Sequence, residues 1–171
     1  MTSFDTVLLH FCRLGPAGLS PKAPGTAGSF CAALLAPFLF LPLSLPLRLA
    51  FLAVLFVLGG LAASRAEVLL NRQDPGCVVI DELVGQWIAM LALGSFSAAS
   101  TWRDVLFLLV PFFFFRLFDI WKPWPVHASE SWLPAGWGIM IDDVLAGIWA
   151  LLCVSLIMLA LHFFCPGLLS L

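Results

Sequence analysis

Tyrosine is absent from this chain, and charge is scarce: Asp, Glu, Lys and Arg make up 11% of its 171 residues. A soluble domain carries about 25% charged residues. An ordinary water-facing surface is therefore excluded, and an apolar content of 62% with a mean hydropathy of +1.07 assigns the chain to lipid. There is no basic run or tail and the formal net charge is −2, so nucleic acid is not an expected partner. The five cysteines (Cys12, Cys31, Cys77, Cys153 and Cys165) are odd in number, scattered and without a C-x-x-C pair. They read as small buried apolar residues, not as a disulfide frame or a zinc site. MTSFDTVLLHFCRLG lacks a basic leader and a small-residue cleavage site, so the first span is expected to act as the insertion signal. No internal repeat is present.

What the chain does contain is apolar segments rich in Phe (16) and Trp (7), which suit lipid contact and an interfacial belt. The pattern predicts an all-α, polytopic membrane bundle of about four to five transmembrane helices in one domain, 1–171. Residues 1–13 read as an interfacial helix, and GPAGLSPKAPGTAGS (15–29) reads as a loop. Spans are expected at about 28–45, with Pro37 as a kink, and at 49–63, 78–97, 105–121 and 139–164. NRQDPG (71–76) carries turn chemistry, Arg103 and Asp104 separate the third span from the fourth, and Lys-Pro-Trp-Pro (122–125) stops the fourth. This assignment puts Arg13, Lys22, Arg65, Arg72, Arg116 and Lys122 on one side, against Arg48 and Arg103 on the other. The bias makes the first side cytoplasmic.

Three acidic clusters fall on that side: Asp81-Glu82, the stripe Arg116, Asp119, Lys122, and Asp142-Asp143. An unpartnered carboxylate at bilayer depth costs at least a few kcal/mol, so such groups face a partner, a cavity or an ion. Each doublet opens a helix and precedes a glycine by about one turn, at Gly85 and Gly147. Helix capping would account for one acid of a pair but not both. The Arg116 stripe could be a salt-bridge ladder, or Asp119 could join a metal cluster while Arg116 and Lys122 face a phosphate. Gly25, Thr26, Gly28 and Ser29, placed directly before a helix, offer N–H groups to a phosphate, although taken alone the signal is weak and a plain loop is the more ordinary reading. His10, His127 and His162 are isolated and lack metal-ligand spacing. Trp121, Trp124, Trp132 and Trp137 suit an interfacial anchor.

Carboxylates beside Arg, Lys and an N–H-rich segment describe Mg²⁺-assisted phosphoryl chemistry. The C-x5-R, D-x-D-x-[TV] and Ser-Arg…His…Asp arrangements of covalent phosphatases are absent, which leaves direct attack by metal-activated water. Asp81, Glu82, Asp119, Asp142 and Asp143 are the expected ligands, with Glu82 and Asp143 as the catalytic carboxylates. Gly25, Thr26, Ser29, Arg116 and Lys122 are the expected phosphate contacts. A proton or ion transporter would hold its acids near the midplane across repeats. A lipid phosphotransferase of the alcohol phosphatidyltransferase type would show a D-G-x-x-A-R block, which is absent. A structural membrane subunit would not need four polar motifs on one face.

Four stretches, GLSPKAPGTAGS, IDELVGQW (80–87), FRLFDIWKPWPV (115–126) and GWGIMIDDVLAG (136–147), resemble those of bacterial phosphatidylglycerophosphatase A in order and spacing. The resemblance implies an inner-membrane, Mg²⁺-dependent phosphatase of glycerophospholipid synthesis. Its substrate would be phosphatidylglycerophosphate, and its products phosphatidylglycerol and inorganic phosphate. The motif acids, Thr26, Arg116 and Lys122 lie inside the matched stretches. Lys22 also lies there, but it is not expected to be a functional position.

Overall fold

Polar residues around position 2 start the first helix. Thr2 and Asp5 form a reciprocal capping box, with the Asp5 N–H donating to Thr2 Oγ1 at 3.2 Å and the Thr2 N–H donating to the Asp5 carboxylate at 2.9 Å. The helix that follows, α1 (Ser3–Cys12), is the expected N-terminal one. Arg65 reaches the same carboxylate at 3.2 Å and lays α1 on the long third helix. The Thr2 backbone and side-chain hydrogen bonds, with Arg65 behind them, hold the Asp5 pKa below its usual range.

The computed structural model describes residues 2–93 and 102–164, and every regular element among them is helical. After a 3-10 turn at Ala17–Leu19 come α2 (Pro24–Leu39), α3 (Leu45–Leu70), α4 (Ile80–Ala89), α5 (Trp102–Trp121), α6 (Val126–Ser129) and α7 (Gly136–Phe164). Two expectations need correction. The segment 15–29 is not loop throughout: Pro24 at the first helical position presets φ and gives up a donor the helix does not use, so α2 begins there. The span expected at 49–63 is part of a 26-residue helix. Hydropathy falls at Arg65 and Glu67, but no helix breaker occurs until Asn71, which ends α3 in the left-handed conformation at φ 48°.

The third span is the larger departure. Helix α4 is ten residues long, and all of them except Glu82 are buried. It packs against α7, α2, α3 and α5. A helix buried on nearly every side belongs at the centre of a bundle, where its polar residues must face a partner or a cavity. Trp87 anchors it there, donating Nε1–H to Ala32 O at 2.8 Å and stacking on Phe40 with centroids 4.9 Å apart. The chain then turns through 90–93. The expected continuation to Ser97 lies outside the described residues, as does Cys165.

Among the described residues, two helices are long and apolar enough to cross a membrane, α3 and α7. Only 33% and 22% of their most apolar windows are buried, and Val54, Val57, Leu58, Leu61, Leu152, Leu156 and Leu159 face outward. An exposed apolar surface of this extent needs a cover. Small residues let the helices approach. The missing Cβ of Gly147 would lie 2.5 Å from Gly85 O, that of Gly85 would lie 2.6 Å from Asp143 O, and Gly136 sits against the Ala63–Ser64 backbone.

Arg48, counted among the cations of the far side, is buried. Its Nε donates to Leu43 O at 2.9 Å and its Nη1 to Leu93 O at 2.7 Å, while Nη2 donates to Leu41 O. The guanidinium also lies over the Phe40 ring, 5.6 Å from its centroid. It thereby ties the chain ends that leave α2 and α4 to the start of α3, where helix C-termini favour a cation. Replacing Arg48 with Met keeps the stem and strands three carbonyls, at about 1–3 kcal/mol for each that stays buried. The thermal midpoint in detergent should fall by about 5 °C or more, and Arg48→Lys, lacking the five-donor fork, should not restore it. A midpoint unchanged in Arg48→Met would contradict this role.

Candidate active site

The first turn of α4 begins without a cap. Val79, the residue before it, has no side-chain oxygen, and its own N–H is taken by Cys12 O at 2.8 Å. Asp81 and Glu82 occupy that turn, yet no side chain caps the helix, so the capping reading is not supported. One turn later the Gly85–Gly147 contact lets α7 approach backbone to backbone. Asp143, one turn before Gly147, is thereby carried to Asp81 and Glu82. One oxygen from each of Asp81, Glu82 and Asp143 falls within 4.8 Å of the others. Asp81 Oδ1, Glu82 Oε2 and Asp143 Oδ2 are buried without a hydrogen-bond partner.

Helix α5 contributes Arg116 and Asp119, which pair with each other one turn apart. Arg116 Nη1 also stands 4.0 Å from Glu82 Oε1 and donates to Ser29 Oγ at 3.3 Å, while the Ser29 hydroxyl donates to Gly25 O at 2.9 Å. The expected Arg116–Asp119–Lys122 stripe is half correct. Helix α5 ends at Trp121, ahead of Pro123, and Lys122 turns off it with φ 47°. Its ammonium binds Asp142 at 2.7 Å and also Glu130, not Asp119. Partial burial lowers the Lys122 pKa, but the Asp142 and Glu130 hydrogen bonds outweigh it and hold the pKa above the ordinary lysine value.

Helix α2 packs against both α4 and α5. A side chain at Gly25 would strike Glu82 Oε1 and the Arg116 guanidinium, and one at Gly28 would meet Val79 Cβ at 2.7 Å. Ala23, the residue before α2, cannot cap it. The N–H groups of Gly25 and Thr26 thus have no partner inside the helix and no cap. The residues expected to cradle a phosphate thus lie in the first two turns of α2, not in a loop ahead of it.

These elements enclose a cavity of about 320 Å³. Gly25, Thr26, Asp81, Glu82, Arg116, Asp119, Lys122, Asp142 and Asp143 all line it. Ser29 does not; it sits fully buried behind Arg116. Asp74 also lines the cavity, and sequence reasoning passed it over as turn chemistry. Glu130, the second partner of Lys122, was also missed, as a polar residue in a loop. Gln86, one turn beyond Glu82, is fully buried with both amide atoms unpartnered. Six carboxylates (Asp74, Asp81, Glu82, Asp119, Asp142, Asp143) and two cations (Arg116, Lys122) stand on the wall. The donor set is all oxygen, three of its members converge, and each keeps an unpartnered oxygen. That set suits a hard divalent cation such as Mg²⁺.

A family model described as phosphatidylglycerophosphatase A matches residues 10–158. A Haemophilus influenzae protein named phosphatidylglycerophosphatase A is 37% identical over 147 residues, covering 85% of this chain and 86% of the relative. An Escherichia coli protein of the same name is 35% identical over 142 residues, covering 81% and 77%. A Bacteroides thetaiotaomicron protein, provisionally named a phosphatidylinositol-3-phosphatase, is 38% identical over 141 residues, covering 81% and 85%. No solved structure gives a significant match. By the extent of the family match and by these relatives, the chain belongs to the phosphatidylglycerophosphatase A family.

Proposed function

We propose that this protein hydrolyses the terminal phosphate monoester of phosphatidylglycerophosphate, giving phosphatidylglycerol and inorganic phosphate. The observation that carries this reading is the convergence of three buried carboxylates, each with an unpartnered oxygen, beside the uncapped start of α2 and the Arg116 guanidinium. Asp81, Glu82 and Asp143 would hold Mg²⁺, with Asp119 and Asp142 beside them. Bound Mg²⁺ would supply positive charge against the phosphate oxygens and acidify a water molecule. The Gly25 and Thr26 N–H groups, the Arg116 fork and the Lys122 ammonium orient the phosphoryl group. Glu82 or Asp143 takes the proton of the attacking water. The bond from phosphorus to the ester oxygen breaks, and the lipid alcohol leaves with the proton that the carboxylate took from the water.

Four to five spans in a bacterial inner membrane fit this chemistry. Helices α3 and α7 cross, α2 and α5 stand beside them, and α4 fills the centre. The excess of Arg and Lys at the cavity end supports a cytoplasmic active site. A substrate anchored by acyl chains offers its phosphate at that plane and would enter between helices. The name of the Bacteroides relative favours a second reading of the substrate, a phosphoinositide monoester. Both readings share a phosphate monoester on a polyol-bearing membrane lipid.

Purified protein should release phosphate from phosphatidylglycerophosphate, lose that activity in EDTA and regain it with Mg²⁺. Glu82→Gln and Asp143→Asn should each lower kcat by about 10²-fold or more; full rate in both at saturating Mg²⁺ would remove them from the mechanism. Arg116→Lys should raise KM, because the planar fork is lost, whereas an unchanged KM would leave Arg116 as a partner of Asp119 only. A soluble glycerol phosphate should be hydrolysed far more slowly than the lipid, and equal rates would rule out lateral entry.

A further inference from the structure

Gln86 is fully buried at the centre of the bundle, and neither atom of its amide has a hydrogen-bond partner among the described residues. A buried amide without a partner opposes folding, and an apolar side chain of the same shape would fill the position more favourably. Sequences break local rules of this kind at functional sites. Gln86 is not on the wall of the reaction cavity, so a part in the reaction runs through a neighbour.

Its place on α4 names the neighbours. Val79, at the start of the helix, Glu82 and Gln86 are spaced i, i+3 and i+7 and form one stripe. The first two meet α2, at Gly28 and Gly25. Gln86 continues the stripe one turn deeper, with its Cβ about 5–6 Å from that of Glu82. From α5, Phe115 packs on Gly85, which brings the next residue, Arg116, to the level of Gln86.

Two more buried atoms of these neighbours are unpartnered, Glu82 Oε2 and Arg116 Nε. They complement the amide. The Gln86 Nε2 group donates where Glu82 Oε2 accepts, and Arg116 Nε–H donates where Gln86 Oε1 accepts. One amide, directly or through a buried water molecule, satisfies both.

We propose that Gln86 is a positioning residue that donates to Glu82 and accepts from Arg116, fixing the Glu82 carboxylate for the divalent cation. The role rests on the metal-dependent phosphatase reading above. Held from behind, Glu82 keeps one orientation with its other oxygen free, and Arg116 keeps its fork on the phosphate side. Loss of such an outer partner of a metal ligand costs about 10- to 100-fold in metal affinity or activity.

Mn²⁺ binding in detergent, read from the electron paramagnetic resonance signal of the free ion, tests this beside kcat and the thermal midpoint in EDTA. Gln86→Met keeps the shape of the side chain and removes the amide. It should raise the Mn²⁺ dissociation constant by about 10-fold or more and lower kcat. The metal-free midpoint should stay unchanged or rise, because an apolar group replaces a buried amide. Gln86→Leu should behave alike. In a Glu82→Gln background, Gln86→Met should weaken Mn²⁺ binding no further, since its effect runs through Glu82. A lower metal-free midpoint in both variants, an unchanged Mn²⁺ affinity in Gln86→Met, or full additivity with Glu82→Gln would overturn this role and leave the phosphatase reading intact. Wild-type protein that binds no Mn²⁺ would overturn both.

Discussion

Two glycines that touch across a helix crossing set the geometry of this protein. Gly85 and Gly147 let the α4 and α7 backbones approach until a Cβ on Gly147 would lie 2.5 Å from the Gly85 carbonyl oxygen. Each glycine lies about one turn after an acidic doublet, so close approach at the glycines also fixes the spacing of Asp81, Glu82 and Asp143. A methyl group at either position would push the helices apart or force strain of about 1–3 kcal/mol. The other elements serve the same arrangement. Gly25 and Gly28 bring α2 against Glu82 and Val79, and Gly136 seats α7 on α3.

The arrangement is electrostatically expensive. Three carboxylates with unpartnered oxygens share one buried spot, and Arg116 and Lys122 are already engaged by Asp119, Asp142 and Glu130. Desolvated like charges oppose folding unless something neutralises them. A cation that binds only the folded state would stabilise it by mass action as well as serve the reaction. Far from that end, Arg48 does the opposite work, placing one buried charge on three carbonyls to hold α2, α3 and α4 together. One end of the bundle therefore stores unmet polar capacity, and the other satisfies it.

Much of the site could be read from the residues. Asp81, Glu82, Asp119, Asp142 and Asp143 are conspicuous because ionisable groups are rare in apolar runs, and the structure gathers all five on one cavity. The fold was harder to read. A continuous apolar run looks the same whether it faces lipid or protein, so α4 reads as a full span when ten residues suffice to fill the centre. Hydropathy marks the end of a span and not of a helix, which hid the continuation of α3 to Leu70. Arg48 carries no signal either, because its partners are backbone carbonyls of residues 41, 43 and 93. Asp74 and Glu130 are polar loop residues like their neighbours, and only the folded chain brings them to Lys122 and the cavity.

The proposed reaction requires one divalent cation held jointly by α4 and α7. Crystals of the protein grown with Mn²⁺ in place of Mg²⁺, with anomalous scattering recorded at the manganese edge, would locate it. A peak within coordination distance of oxygens from Asp81, Glu82 and Asp143 together is the expected result. Manganese held by only one of the two helices, or no peak between them at saturating metal, would contradict it.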